Sequence, residues 1–156
     1  MDRISKNNLI QDYKIQFINR FNELPSIVSI APGRVNIIGE HTDYNKGLAI
    51  PAAVNKWILT LASLRKDRII NVFSLNYKKT LRFSYDQSNL NGELWEKYVK
   101  ASIYLIKEKY NVKKGFNILI GGNIPIGFGL SSSAALEVSI VSSIVKLFAL
   151  NISSNK

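Results

Sequence analysis

The spacing of apolar residues changes repeatedly along this sequence, from helical to strand-like and back. Between about Ile4 and Phe21 apolar residues recur every three or four positions, which predicts an amphipathic helix. Short β-branched runs follow at 27–30 and 35–38. The Pro32-Gly33 pair between them predicts a tight turn that separates two strands. A chain patterned in this way belongs to a fold class that combines helices with strands.

The rest of the chain continues this mixture. Strands are expected at about 57–64, 69–74, 80–85 and 116–120, and helices at about 93–110 and 132–149. The strands at 69–74 and 80–85 form a hairpin turned at Asn76, and the last helix is apolar nearly all round, which predicts a central, buried position. Because a hairpin interrupts any regular alternation of strands and helices along the chain, the pattern favours an α+β domain over a repeated βαβ fold.

Length and composition predict one domain. The chain has 156 residues, of which 46% are hydrophobic, so a single core needs no disulfide to hold it. With no cysteine and one histidine, thiol chemistry and the usual zinc sites are excluded. The sequence lacks both an apolar signal segment and a membrane-spanning run, so we expect a cytoplasmic protein.

The chain is basic, with a formal net charge of +10. Such a charge could attract a nucleic acid, an anionic membrane surface or a phosphorylated small molecule. The lysines are scattered, however, and no helix or strand concentrates the Arg and Asn side chains that sequence-specific readers use. We therefore expect no nucleic-acid partner and no membrane partner.

Polar side chains are crowded between Gly33 and Gly47. The ten positions from Arg34 to Asp43 hold six of them, namely Arg34, Asn36, Glu40, His41, Thr42 and Asp43. Such a set offers donors and acceptors together, as a pocket for a polyhydroxylated substrate requires. The alternatives are a capped surface turn with an Arg–Asp pair, or a metal site, for which one imidazole and two carboxylates are few ligands.

A second polar segment, from Asn123 to Ser133, joins a predicted strand to the last helix. Its glycines let the backbone approach a ligand closely, and the helix N-terminus favours an anion such as phosphate. An ordinary serine N-cap is the simpler alternative. A serine hydrolase that uses Ser132 with His41 and Asp43 is also conceivable, although no Gly-x-Ser-x-Gly elbow is present. The segment is not a Walker A motif, since no Gly-Lys-Ser/Thr follows.

Together the two segments resemble the GHMP small-molecule kinases, and the run from Gly33 to Tyr44 is similar to the galactokinase signature without a gap. The lead-in Ala31-Pro32, the following 45–51 and the stretch 95–100 are also similar to galactokinases. The resemblance implies the N-terminal domain of that superfamily, of the ribosomal protein S5 domain 2-like type, over 1–156. It further implies an N-terminal helix over 1–24, a core over 25–156, and a mixed sheet with helices on one side.

The resemblance also implies roles for individual residues. Glu40, His41, Thr42 and Asp43 would line a D-galactose site, and Arg34 would be the catalytic arginine between the sugar and the incoming phosphate. Trp95 would lie beside the adenine of ATP, although a tryptophan on the apolar face of a helix is equally typical of a core position. The phosphate loop would consist of Gly127, Phe128, Gly129, Leu130, Ser131, Ser132 and Ser133, with Ser133 as the Mg²⁺ ligand.

The implied activity is ATP-dependent phosphorylation of D-galactose to galactose 1-phosphate, a step of galactose metabolism. The family's catalytic aspartate, its acidic magnesium partner and its C-terminal domain match nothing up to Lys156. We therefore expect negligible activity from this chain alone, and a C-terminal lobe or a separate chain that completes the cleft. The alternatives are a GHMP kinase for another sugar, and a non-catalytic regulatory protein that binds galactose or ATP.

Overall fold

In a computed structural model, the described residues form three helices and one five-stranded sheet. The structure describes residues 6–39, 47–84, 86–87, 89–125 and 129–152. In chain order the elements are α1 (Lys6–Phe21), β1 (Ile27–Ile38), β2 (Ile50–Leu64), β3 (Ile69–Ser74), β4 (Lys79–Ser84), α2 (Leu94–Tyr110), β5 (Phe116–Gly122) and α3 (Ser132–Leu147). None of the helices described combines the length and the apolar character needed to cross a bilayer.

The sheet is mixed, with the strand order β1-β2-β5-β3-β4. Only β3 and β5 run parallel; the other three neighbouring pairs are antiparallel. The β3–β4 hairpin lies where the sequence predicted it, with Ser74 opposite Lys79 at the turn. The α+β class and the mixed sheet expected from the resemblance are therefore confirmed.

The helices cover both faces of the sheet. Helices α2 and α3 pack on one face, where Val99, Ile103, Ile140 and Ile144 meet side chains of the sheet. Helix α1 packs on the other face through Leu9, Tyr13 and Phe17, together with Leu59, Leu61 and Leu119. The expectation of helices on one side is thus met by α2 and α3 and is wrong for α1, because alternate residues of β2 and β5 are apolar on both faces.

The tight turn expected at Pro32-Gly33 is not formed. β1 continues through both residues, and its pairing with β2 shifts register between Pro32 and Arg34. The proline is tolerated where a strand is irregular, and the glycine marks a close approach of another backbone segment. Proline and glycine here interrupt the pairing of the strand without reversing the chain.

Helix α3 is buried on one side only. Ala135, Ser139, Ile140 and Ser143 are buried, whereas 59% of Val138 is exposed. The expectation of a helix buried all round is wrong, because β1, β2 and α2 cover a single face of it. Small residues at intervals of four on that face, namely Ala135, Ser139 and Ser143, let the helix lie close to the sheet.

Candidate functional site

The two polar segments meet through the backbone. The amide of Arg34 on β1 donates a hydrogen bond to the carbonyl oxygen of Leu130 at 3.1 Å, just before α3. Gly33 is buried at this contact, and a Cβ placed on it would lie 3.1 Å from that same oxygen. The absence of a side chain therefore lets the strand and the glycine-rich loop touch.

A cleft of about 370 Å³ opens beside this contact. We call it the arginine cleft; it is lined by Arg34 and Pro32 of β1, by Ser131 and Ala134 at the start of α3, and by small residues of β2. The Arg34 side chain is exposed. Its guanidinium can therefore present donors in a fixed fork to an anionic group.

The N-terminus of α3 is arranged differently from an ordinary serine cap. Ser131 is the N-cap residue and has φ of 51° and ψ of 44°, in the left-handed region, and its hydroxyl makes no capping hydrogen bond. The simple serine cap considered above is therefore not what the helix uses. Its first-turn amides and the hydroxyls of Ser131, Ser132 and Ser133 together form a donor set suited to phosphate oxygens.

A second cavity, of about 340 Å³, lies on the other side of the α3 N-terminus. We call it the tryptophan cavity; its lining includes Trp95, Tyr77, Asn76, Leu136, Ser132 and Ser133. Trp95 is 5% exposed and belongs to the core, which confirms that description of it; it also lines the cavity, while its contact with adenine stays a prediction. The cavity thus brings together three of the residues predicted to contact ATP.

Trp95 is held by its neighbours. Its ring stacks on Tyr77, with centroids 5.3 Å apart and planes 11° apart, and its indole N–H donates to Glu93 Oε2 at 3.2 Å. Lys79 pairs with the same carboxylate. The Lys79 ammonium and then the indole N–H lower the pKa of Glu93, while Glu93 raises the pKa of Lys79. The pair therefore stays charged around neutral pH.

Part of the predicted site lies outside the described residues. This applies to Glu40, His41, Thr42 and Asp43 of the sugar segment and to Gly127 and Phe128 of the loop. Of the remaining predicted residues, Gly129 has φ of 68° and open space around its Cβ position, as expected of a loop glycine. The described part of the chain contains no group of three or more His, Cys, Asp or Glu able to hold a metal ion.

Tyr77 was not predicted from the sequence as a site residue, and Asn76 was predicted only as the turn of a hairpin. Both line the tryptophan cavity, because the β3–β4 hairpin folds over to the N-terminus of α2. No local pattern in the sequence indicates that meeting, since 18 residues separate Tyr77 from Trp95.

Known families match both halves of the chain. Residues 15–64 match the galactokinase galactose-binding signature, and residues 97–156 match the GHMP kinases N terminal domain. The chain is therefore similar to the GHMP kinases and, within them, to the N-terminal portion of galactokinases. The arginine cleft lies where these two matched regions meet, because Arg34 is in the first and Ser131 is in the second.

Individual galactokinases are similar in sequence to this chain. The chain is 42% identical over 144 residues to a galactokinase of Clostridium perfringens, and 42% identical over 133 residues to one of Haemophilus influenzae. These matches cover 90% and 84% of this chain but only 37% and 35% of the relatives. The chain therefore spans little more than a third of the length of the relatives it matches.

Solved structures give the same result. A Lactococcus lactis galactokinase complexed with galactose matches with a TM-score of 0.84 and 38% identity, over 93% of this chain and 39% of that one. The Methanococcus jannaschii mevalonate kinase matches with a TM-score of 0.73 at 22% identity, over 81% of this chain and 42% of that one, which shows a shared fold alone. The fold is thus that of the GHMP kinase N-terminal domain.

Proposed function

We propose that this chain supplies the sugar-binding and phosphate-binding part of a galactokinase, which transfers a phosphoryl group from ATP to D-galactose. The observation that carries the proposal is the hydrogen bond between the Arg34 amide and the Leu130 carbonyl. It joins the segment that matches a galactose-binding signature to the loop that precedes α3. A sugar and a phosphate bound to these two segments would be neighbours.

Arg34 is proposed as the catalytic residue on this chain. During phosphoryl transfer, negative charge spreads over the oxygens of the group in transit, and a preorganised guanidinium stabilises it. Arg34 lies on a strand whose backbone is joined to the loop by the hydrogen bond to Leu130, which defines the position of its own backbone. Glu40, His41, Thr42 and Asp43 are proposed to bind the sugar hydroxyls.

The α3 N-terminus is proposed to bind the phosphates of ATP, with the nucleobase in the tryptophan cavity. The donor set suits these groups, because hydroxyls and helix amides bind phosphate and an aromatic wall receives a planar base. Ser133 is the proposed protein ligand of Mg²⁺, a hard cation that prefers oxygen ligands and neutralises phosphate charge. Ser131, Ser132 and the Gly127–Leu130 loop are proposed to complete the phosphate cradle.

Calorimetric titration of the 156-residue chain tests these assignments. We expect binding of D-galactose and of ATP with MgCl₂, and weaker binding of D-glucose and D-mannose. Arg34→Ala is expected to weaken ATP affinity roughly tenfold, the loss typical of a charge-assisted hydrogen bond. The matched control is Arg20→Ala on α1, because Arg20 is an exposed arginine that donates a hydrogen bond to Thr80 and lines neither cavity. Preference for another sugar would contradict the galactose assignment and favour a different GHMP kinase.

We further propose that the chain alone has negligible kinase activity. The part of the relatives that it does not match is proposed to hold the catalytic base and a second lobe, either of which could also come from a separate chain. Losing a positioned base costs about 10²- to 10⁴-fold in rate, and losing half of a cleft forfeits part of the roughly 7–11 kcal/mol that positioning supplies. Galactose-dependent ADP release by the purified chain at a rate typical of kinases would contradict this.

A further inference from the structure

The turn of the β3–β4 hairpin is fastened to the sheet by one side chain. Asn76 Nδ2 donates to the Gly122 carbonyl oxygen at 3.0 Å, and the Gly122 amide donates to Asn76 Oδ1 at 2.9 Å. The preceding amide, of Leu75, donates to the Ile120 carbonyl oxygen at 2.8 Å. Because an amide side chain carries a donor and an acceptor side by side, Asn76 extends the β3–β5 pairing beyond the end of β3.

Gly122, the residue that Asn76 binds, is itself held in place. A Cβ on Gly122 would lie 2.3 Å from the carbonyl oxygen of Trp57, so the end of β5 packs directly on the β2 backbone. The Asn123 amide donates to that oxygen at 3.0 Å, and the Trp57 amide donates to Asn123 Oδ1 at 2.7 Å. The turn is therefore attached to a rigid part of the sheet.

Tyr77 follows Asn76 directly and stacks on Trp95 in the wall of the tryptophan cavity. Beyond Tyr77, the hairpin is tied to the start of α2 by Lys79, whose partner Glu93 also accepts the indole N–H of Trp95. The rings of Tyr77 and Trp95 thus lie between two attachments of the hairpin. One is the pair of hydrogen bonds between Asn76 and Gly122, and the other is the Lys79–Glu93 ion pair. Both attachments are solvent-exposed, but salt screens the Lys79–Glu93 ion pair, which leaves the two hydrogen bonds between Asn76 and the Gly122 backbone as the firmer attachment.

We propose that Asn76 is a positioning residue of the nucleotide site, which acts by holding Tyr77 against Trp95 so that the two rings present one preformed surface to a nucleobase. This inference rests on the proposed binding of ATP. Two rings in contact leave no space for a planar base between them, so the base packs on the pair from the cavity side. A preformed surface avoids the entropy cost of ordering the turn when the ligand binds.

The test compares Asn76→Ala with Asn89→Ala in the 156-residue chain. Asn89 is the matched control, because its side chain accepts a hydrogen bond from the nearby Asn91 amide and does not line the cavity. Two readouts are used: the NMR signal of the Trp95 indole N–H without ligand, and titration with ATP and MgCl₂. We expect Asn76→Ala to shift the indole signal and to weaken ATP affinity about tenfold, as for the loss of one to two hydrogen bonds. Asn89→Ala should change neither.

A double-mutant cycle with Tyr77→Ala shows whether Asn76 acts through Tyr77. In the Tyr77→Ala background, Asn76→Ala should have little further effect on ATP affinity. Additive losses would overturn the inference, and so would unchanged ATP affinity in Asn76→Ala. If that variant does not fold, Asn76→Ser replaces it, with a smaller expected loss because a hydroxyl can still bond Gly122. Absence of ATP binding by the unsubstituted chain would overturn the proposed function and the role of Asn76 with it.

Discussion

At Gly33, within the candidate site, the structure requires a residue that has no side chain. A Cβ at this position would lie 3.0 Å from Val54 Cγ2, 3.1 Å from the Leu130 oxygen and 3.2 Å from Ile124 Cδ1. All three distances are shorter than ordinary van der Waals contacts. The Leu130 oxygen cannot move away without lengthening its hydrogen bond to Arg34.

Substituting Gly33→Ala is therefore expected to lower the free energy of unfolding by about 1–3 kcal/mol, the usual cost of overpacking. It should also weaken ATP binding, because the loop would move relative to Arg34. Urea denaturation and titration with ATP and MgCl₂ measure the two effects.

Gly129→Ala provides the comparison for Gly33→Ala. Gly129 has open space at its Cβ position but φ of 68°, so alanine there should cost only about 1–2 kcal/mol of backbone strain. Adding Val54→Ala to Gly33→Ala should relieve the contact with the Val54 side chain and recover part of the lost stability. Full stability of Gly33→Ala alone would contradict the packing argument.

At the scale of secondary-structure elements, the β2–β3 connection is organised by one carboxylate. Asp67 accepts hydrogen bonds from Arg65 Nε at 2.8 Å, from Arg65 Nη2 at 2.6 Å and from the Ile69 amide at 3.1 Å. Arg65 also donates to Asn117 Oδ1 on β5 at 3.0 Å, which links the connection to the sheet. The Arg65 guanidinium, then the Ile69 amide, hold the pKa of Asp67 at about 2.

This lowered pKa predicts how stability depends on pH. Because the folded protein favours the charged form of Asp67, the contribution is fully present above the ordinary aspartate pKa and is lost as pH falls through about 2. In Asp67→Asn, the free energy of unfolding should therefore decrease less as the pH falls from the ordinary aspartate pKa to about 2. Since Asp67 is exposed at the surface, the effect should be small and reduced by salt.

Titration of the Asp67 carboxyl by NMR checks the cause. Arg65→Gln should raise the pKa of Asp67 toward its ordinary value, because it removes the guanidinium and leaves the Ile69 amide in place. An Asp67 that titrates identically in the two proteins would show that Arg65 is not responsible.

For the whole molecule, several exposed apolar side chains lie where β1 ends and β2 begins. Exposed fractions are 67% for Ile37, 64% for Ile38, 93% for Leu48 and 54% for Ile50, and Ile38 lies opposite Ile50 in the sheet. Apolar surface of this kind favours association.

We predict concentration-dependent self-association of the chain, measured by sedimentation velocity. The double variant Ile38→Thr, Ile50→Thr should reduce it, since threonine keeps the β-branched shape of these strand residues and is more polar. Leu105→Gln is the matched control, because Leu105 on α2 is 68% exposed at a different place. A chain that stays monomeric at every concentration would contradict the prediction.

Local patterns were sufficient to predict most of the elements. The 3.6-residue period of α1 and α2 and the turn at Asn76 gave element positions within a few residues of those in the structure. These signals are local, since a helix repeats within a few residues and a hairpin turn spans four. Local reasoning was wrong at Pro32-Gly33, where a pair typical of turns instead accommodates the Leu130 backbone within a continuous strand.

The sequence was also sufficient to predict a sugar-binding and a phosphate-binding segment, because motif chemistry lies in consecutive positions such as 34–43 and 127–133, and both assignments stay predictions. The meeting of those segments depends on contacts between residues far apart in the chain. Arg34 reaches Leu130, Tyr77 reaches Trp95 and Asn76 reaches Gly122 only because the sheet order β1-β2-β5-β3-β4 and the packing of α3 bring them together. Pairing and packing of this kind are set by the burial of the whole core, and no local stretch of residues records them.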